Sequence, residues 1–417
     1  MIREKLLYAG VDLHKESHTA VLVNCWNELL KTITIENKPS EFVKLWQKVN
    51  RVAQREGLQV IYGLENACGY GRALAIWLIE KGCTVKDVNP ALAYDQRKSA
   101  PIMEKNDEYD AYCVATVLIN QLHKLPDANP EDSYWTLSQL VTRREKLVKD
   151  GIRLKNGLHE QLFVVYPSYK KFFAEIDGLT AIYFWKTYPS PVHLQGKSAD
   201  ELDDEFKSVV RSGRRGRAAL ILDCVQNDGD TVREYQSSRD FITQSLARSL
   251  ERQKEEVALI EAETKRMLKE FDLKLTTLPG VDIVTASKLI AGIGDIRRFK
   301  NANKLAFYAG ISPVSFSSAG KSKDVSTKQG NRFLNGVFYF IAVTMIAVKP
   351  KTGEPRYPIF REYYERKLSQ GKTPSQALVC IMRRLVNIVH GMMKNKTPYR
   401  PYVKPQPDQS PEQTPDA

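Results

Sequence analysis

The chain has 417 residues, 42% of them hydrophobic and 27% charged, ordinary globular composition for two or three domains that excludes a wholly disordered chain, a disulfide miniprotein and a repeat fibre. Sixty-two Lys and Arg against 49 Asp and Glu leave a formal charge of +13. A basic excess of that kind favours a polyanionic partner, with nucleic acid the first to test.

Three short β-prone runs come first, at 6–12 (LLYAGVD), 18–24 (HTAVLVN) and 29–35 (LLKTITI), and the polar turns between them predict an antiparallel meander. A helical pattern at about 39–54 follows, then an apolar run at 58–65, a helix at 71–81 and a further run at 83–88. Helical segments near 90–98 and from Glu108 to Gln121 complete the unit. The order β-β-β-α-β-α-β is that of a ribonuclease-H-like (RuvC-like) α/β domain over residues 1–125, with helices as the crossovers that parallel strands need. KLPDANPEDSYW, 124–135, reads as a linker into a long helix at about 137–165. From Phe241 to Phe271, Leu246, Leu250, Val257, Ile260, Met267 and Phe271 step by alternating threes and fours, with Gln253 and Thr264 in the gaps. This heptad seam suits either a helical hairpin with the 137–165 helix or a dimeric coiled coil. Inside this helical region, 136–270, the stretch RSGRRGR at 211–217 makes Arg214, Arg215 and Arg217 candidates for holding phosphate, the alternative being a solvated loop.

After Phe271, TLPGVDIVTASKLIAGIGDIRRF sets a PGV turn, a helix of small and aliphatic residues and a second glycine turn in a row. It looks like a helix-hairpin-helix, whose turn offers backbone N–H groups to a phosphate. A helical stretch at about 326–396 completes a C-terminal all-α domain over 271–396, and the Pro-, Gln- and Asp-rich residues 397–417 are expected to be disordered. The six cysteines carry no CxxC pair and no zinc spacing, the pattern of free thiols in a reducing cytosol. The amino terminus lacks the apolar core of an export signal. The longest uncharged stretch, Asn335 to Val348, falls short of the about 20 residues of a membrane span.

Two acids end apolar runs, Asp12 in GVDLHK and Glu65 in IYGLEN, and the first and fourth strands of such a sheet are neighbours. Asp107 and Asp110, three apart at a helix start, share one face. Singly, each has a plain alternative: a helix cap, a first-turn acid or a strand end facing water. Jointly, they form an oxygen-only cluster of the kind that takes hard divalent cations beside a phosphodiester.

GVDLHKESHTAV, GLENACGYGRALAIWL with the following VNP, and KNDEYDAYCVA resemble the DEDD signature of the insertion sequence 110 family of bacterial and archaeal transposases. LPGVDIVTASKLIAGIGDIRRFKNANKLAFYAGISPVSFSS, KQGNRFLNGVF and YYERKLSQGKTPSQALVCIMRRLVNIVHGMMKNKTPY resemble that family's second transposase domain. The likeness covers most of residues 5–400 and is weakest over 167–235. It implies a DNA transposase with a RuvC-like domain, a central helical and coiled-coil region and a serine-bearing C-terminal domain. By resemblance Asp12, Glu65, Asp107 and Asp110 bind the metal, Mg²⁺ or else Mn²⁺, and Ser318 is the nucleophile that forms a phosphoserine link to DNA. Ala319 stands where the family usually has glycine, which leaves Ser317 as the alternative nucleophile.

Lys321, Lys323 and Arg332, near the serine in sequence, are candidates for neutralising phosphate charge, the alternative being a basic surface loop. The resemblance further implies double-stranded DNA (element ends and target) and a structured noncoding guide RNA as partners, homo-oligomers (dimer or tetramer), no membrane, and a place in the prokaryotic cytoplasm with the nucleoid. Two other readings stand beside it: a RuvC-like structure-specific endonuclease using metal-activated water, and an inactive nucleic-acid-binding element protein.

Overall fold

The computed structural model describes residues 2–65, 69–99, 106–128, 130, 132–210, 216–312, 314–318, 321–325 and 330–401, with backbone alone at 132, 314–318 and 321–325. The chain divides into two compact units, Met1–Trp135 and Thr136–Ala417.

In the first unit, β1 (Leu6–Leu13), β2 (Ser17–Val23) and β3 (Leu29–Glu36) form the expected antiparallel meander. Helix α1 (Pro39–Glu56) crosses to β4 (Gln59–Glu65), and α2 (Arg72–Glu80) crosses to β5 (Thr84–Val88). The sheet order is β3-β2-β1-β4-β5, with β4 parallel to both β1 and β5. Helices α3 (Pro90–Lys98) and α4 (Asp107–Gln121) complete the unit. Because side chains alternate across a strand, β1 serves two cores. Leu7, Ala9, Val11 and Leu13 pack with Phe42, Leu45 and Val49 of α1, while Leu6 and Tyr8 pack with Ala111, Val114 and Leu118 of α4.

What seats α4 on the sheet is a pair of glycines side by side. Gly10 of β1 pairs with Gly63 of β4. A Cβ on Gly10 would lie 2.3 Å from the Ala115 backbone nitrogen and 2.4 Å from the Ala111 carbonyl oxygen, so α4 rests on bare strand backbone. At Gly63 a Cβ would meet side chains rather than backbone, Leu118 at 3.1 Å and Val88 at 3.3 Å. The helix is then pinned at its flank, where Asn27 Nδ2 donates to the Tyr112 hydroxyl at 2.6 Å and Thr116 Oγ1 donates to Asn27 Oδ1 at 3.2 Å.

The second unit is built mainly of helices. Helix α5 (Asp132–Val165) takes in the last residues of the expected 124–135 linker, and α6 (Leu179–Thr187), α7 (Ala199–Val209), α8 (Arg217–Asp228) and α9 (Gln236–Leu268) follow. Within the chain α9 packs against α5, as the hairpin reading of the heptad seam expects. Gln253 Nε2 of α9 donates to the Leu147 carbonyl of α5 at 2.9 Å, and Arg144 Nη2 lies 2.6 Å from Glu261 Oε1. Leu158 and Leu162 of α5 share a core with Ala247 and Leu250 of α9 and with the buried rings of Tyr166, Phe172, Phe184 and Trp185. The segment where the family resemblance is weakest thus supplies an aromatic core of its own.

Beyond Phe271 come α10 (Ile283–Ile293), α11 (Ala302–Tyr308), β6 (Val314–Ser318), β7 (Lys321–Val325), α12 (Arg332–Ile346), α13 (Pro358–Ser369) and α14 (Pro374–Asn395). Two expectations need correction. The C-terminal part is not all helical, because β6 and β7 pair antiparallel from Val314↔Val325 to Ser318↔Lys321. The runs VSFSS and KSKDV alternate only weakly, and their serines and lysines read as a turn. The helix-hairpin-helix stretch is the single helix α10 between glycine turns, followed by a 3₁₀ turn at Ile296–Arg298. Asp282 caps α10 by accepting from the Thr285 N–H at 2.7 Å, so this helix start carries a carboxylate of its own.

The apolar face of α12 (Phe338, Ile341, Met345) and that of α14 (Ile381, Leu385, Val389) are buried, and the two helices pack together. Of the tail expected to be disordered, residues 397–401 are described, with the Tyr399 N–H donating to Thr277 Oγ1 at 2.8 Å, while 402–417 lie outside the described residues. Among the described residues no helix is long and apolar enough to cross a membrane.

The Gly10 contact is directly testable. Gly10→Ala forces backbone apart and is expected to cost about 3 kcal/mol, whereas Gly63→Ala costs less because Leu118 can yield. Urea unfolding, with hydrogen exchange of the α4 amides to locate the effect, measures both.

Candidate active site

The seating of α4 decides where the acids go. Asp12, two residues beyond Gly10 on β1, points to the same side of the sheet as Gly10. Glu65, two beyond Gly63 on β4, does likewise, and the β1–β4 register ends at Val11↔Leu64, one step short of Asp12 and Glu65. On α4, Ala111 and Ala115 touch Gly10. Asp107 precedes Ala111 by one turn and Asp110 precedes Val114 by one turn, so both project from the sheet-facing side at the helix start. Asn106, not Asp107, is the N-cap, with its side chain accepting from the Tyr109 N–H at 2.7 Å. Asp107 is therefore free of the capping role that was its plain alternative.

Nor does Asp12 face water, being only 7% exposed. Its Oδ1 accepts from the Leu13 N–H at 3.0 Å, while its buried Oδ2 has no hydrogen-bond donor among the described residues. The same holds for Asp110 Oδ1. Basic side chains do stand close by: His14 Nε2 is 2.9 Å from Asp12 Oδ2 and 3.3 Å from Asp107 Oδ1, and Arg97 Nη2 of α3 is 2.6 Å from Asp110 Oδ1. Both buried oxygens thus have a basic nitrogen near them without an aligned N–H.

Burial pushes the Asp12 carboxyl above its ordinary value; nearby His14 opposes this, and the charges of Asp110 and Asp107 add to it. Burial likewise pushes Glu65 up, reinforced by Asp12 and Asp110, with Arg97 opposing. Asp12 therefore lies within the fields of Asp107 and Asp110, and Glu65 within those of Asp12 and Asp110. Oxygen donors gathered here, with Asp12 and Glu65 pushed up by burial and by neighbouring acids, fit a hard divalent cation. Of the four, Asp12 and Asp107 bring carboxylate oxygens within 4.8 Å of each other among the described residues, and Glu65 and Asp110 do not join that group.

Sequence reasoning missed His14 and Arg97. For His14 a signal existed, since the i, i+2 spacing in Asp12-Leu13-His14 puts both side chains on one face of a strand. Arg97 gave none, being one of two basic residues in the last turn of a short helix.

The serine candidates stand in the second unit. Ser317 and Ser318 lie on β6, opposite Ser322 and Lys321 of β7, and their side chains lie outside the described residues, as do Ala319 and the side chains of Lys321 and Lys323. The base of this hairpin is well defined. Gly330, at φ +111°, sits against Gly310 so closely that a Cβ would lie 2.6 Å from the Gly310 nitrogen. The Asn331 N–H donates to the Tyr308 carbonyl at 2.7 Å, and Asn335 Nδ2 donates to the Ala309 and Gly310 carbonyls at 3.0 and 3.2 Å. Backbone and α12 side chains thereby clamp both ends of the hairpin. Of the other basic candidates, Arg332 is exposed at the start of α12. Arg217 donates to the Phe172 carbonyl at 2.8 Å, which ties α8 to its own core, and Arg214 and Arg215 lie outside the described residues.

The electrostatics of the acids fix a sign. Asp12 and Glu65, with folded pKa values above their unfolded ones, stabilise the metal-free protein most below the ordinary carboxyl range, and that stability is lost as pH rises through the raised values. Asp12→Asn is expected to raise the melting temperature of metal-free protein at neutral pH. It is also expected to abolish the stabilisation that a divalent cation gives the native sequence, about 2.7 kcal/mol at a hundred times the Kd. Thermal melts with and without Mg²⁺ or Mn²⁺ measure both.

Comparison with known proteins identifies the family. A DEDD-type transposase family model matches residues 9–167, and the model of the IS116/IS110/IS902 transposase family matches residues 272–365. The 43.6 kDa insertion element IS110 protein of Streptomyces coelicolor is 27% identical over 331 residues, covering 77% of this chain and 78% of the relative. The 44.8 kDa insertion element IS116 protein of Streptomyces clavuligerus is 23% identical over 403 residues, 96% of this chain and 97% of its own length. A pilin gene-inverting protein of Moraxella bovis is 30% identical over 128 residues, 30% of this chain and 37% of its own. With both family models matched in order, and relatives aligned over nearly the full length, the chain belongs to the IS110/IS116/IS902 family of transposases, enzymes whose general activity is to cleave and rejoin DNA.

Proposed function

We propose that this transposase moves its element through a serine nucleophile, with Asp12, Glu65, Asp107 and Asp110 holding divalent cations, Mg²⁺ first among them, at the reacting phosphate. The observation that supports this reading most is the gathering of carboxylates from β1, β4 and α4 at one sheet edge, with buried oxygens that no hydrogen-bond donor satisfies. When bound, a divalent cation supplies charge neutralisation to the phosphate and to the attacking and leaving oxygens.

The chain's own residues supply the covalent chemistry. Ser318 Oγ attacks phosphorus as its proton passes to a base, the bond from phosphorus to the 3′ oxygen breaks, and that oxygen takes up a proton to leave as a 3′-hydroxyl. The resulting phosphoserine diester retains the bond energy needed for rejoining. Lys321, Lys323 and Arg332 neutralise phosphate charge during the exchange. The substrates are double-stranded element ends and target, chosen by pairing with a noncoding guide RNA, and the protein works as a homo-oligomer. The formal charge of +13 suits backbone recognition of both nucleic acids, and the likeness to a pilin gene-inverting protein fits a recombinase.

The test is a denaturing gel of the full-length protein incubated with element-end DNA, the element's noncoding RNA and Mg²⁺. A covalent protein-DNA adduct is expected, lost in Ser318→Ala and kept in Ser317→Ala. Asp12→Asn is expected to bind DNA but form no adduct. Cleavage without an adduct would establish the metal-activated-water endonuclease instead, and binding without cleavage an inactive element protein.

A further inference from the structure

Beside the four acids stands a nitrogen donor that the sequence pattern of the acids does not include. His14 follows β1, and backbone bonds hold it in place: its N–H donates to the Ser17 carbonyl at 3.0 Å, closing the turn into β2, and Asn37 Nδ2 donates to its carbonyl at 3.4 Å. From there the imidazole reaches back over the sheet edge. Its Nε2 lies 2.9 Å from Asp12 Oδ2 and 3.3 Å from Asp107 Oδ1, and one ligand atom from each of these residues falls within 4.8 Å of the others.

Two arrangements bring an imidazole nitrogen this near two carboxylates: a hydrogen-bonded counter-cation, or a neutral ring that shares a metal ion with them. Asp12 separates the two. This residue is only 7% exposed, and its Oδ2, although 2.9 Å from His14 Nε2, has no hydrogen-bond donor among the described residues, so the ring N–H is not aimed at it. A counter-cation would be held by that very bond. By contrast, two ligand atoms on neighbouring corners of an octahedron with bonds of about 2.1 Å stand about 3 Å apart, close to both contacts. The imidazole is also half exposed, so core packing does not dictate where it sits.

We propose that His14 is a nitrogen ligand of the cation held by Asp12 and Asp107, and that it biases this site toward Mn²⁺ over Mg²⁺. Mg²⁺ keeps oxygen ligands and its waters, whereas first-row transition dications accept imidazole nitrogen beside carboxylate. The inference rests on the reading of Asp12 and Asp107 as metal-binding acids, and the experiment separates the two claims.

Mn²⁺ is titrated into the full-length protein and followed by electron paramagnetic resonance, with echo-modulation spectra to detect nitrogen bound to the ion and Mg²⁺ affinity taken by competition. The native sequence is expected to show nitrogen coupling. His14→Ala is expected to keep Mn²⁺ binding, lose the coupling, weaken Mn²⁺ about tenfold and leave Mg²⁺ little changed. His14→Asp, which restores a donor as oxygen, is expected to bind both ions without coupling and without the Mn²⁺ preference. Coupling absent from the native protein, or unchanged in His14→Ala, overturns the role of His14 and leaves the acid cluster standing. Mn²⁺ binding unaffected by Asp12→Asn overturns the metal site itself, and the role of His14 with it.

Discussion

The first unit depends on one close approach, that of helix α4 to the bare backbone of Gly10. A helix normally packs on a sheet through two layers of side chains. Here the paired glycines Gly10 and Gly63 remove one layer, and the Ala111 and Ala115 backbone comes down onto β1. Everything at the sheet edge inherits that position. Strand alternation fixes the side on which Asp12 and Glu65 emerge, and helix periodicity fixes where Asp107 and Asp110 come down to meet them. A helix held higher above the sheet would carry its two acids away from the other two.

This contact gathers negative charge that the fold neutralises only in part, through Arg97. Buried carboxylates are ordinarily paired or hydrogen-bonded, yet Asp12 and Asp110 each keep an oxygen without a donor, and Asp12 and Glu65 are both pushed toward protonation. Stability is thereby given up at a place where a divalent cation would recover it. Strained electrostatics of this sort concentrate at functional sites, and the flanking Arg97 and His14 show the balance being tuned by residues outside the acid signature.

The second unit keeps the hairpin that carries the proposed serine on a firm base. Hairpin β6–β7 leaves the core between Gly310 and Gly330, which touch backbone to backbone, and Asn331 and Asn335 fasten its two ends to α12. The heptad positions of α9 serve its pairing with α5 inside the chain, with Leu250, Thr264, Met267 and Phe271 buried. Apolar periodicity of this kind says that a stripe must be covered, and it is silent about whether the cover is the same chain or another.

Strand order, the meander, the crossovers and the helix carrying Asp107 and Asp110 were legible in the sequence, because each is a local pattern: period two, period three to four, or a turn residue. The neighbourhood of Asp12 and Glu65 followed from topology alone. Hairpin β6–β7 was hidden because its serines and lysines imitate a turn, and the coiled-coil choice because one stripe fits two partners. His14 and Arg97 went unseen for another reason: whether a basic side chain meets a carboxylate depends on distances across elements, which spacing along the chain does not encode. The sequence by itself determined which elements form and which acids end them. Tertiary structure decided how near those acids stand, through a helix lowered onto two glycines, since the missing Cβ atoms act only when a second element arrives to occupy their place.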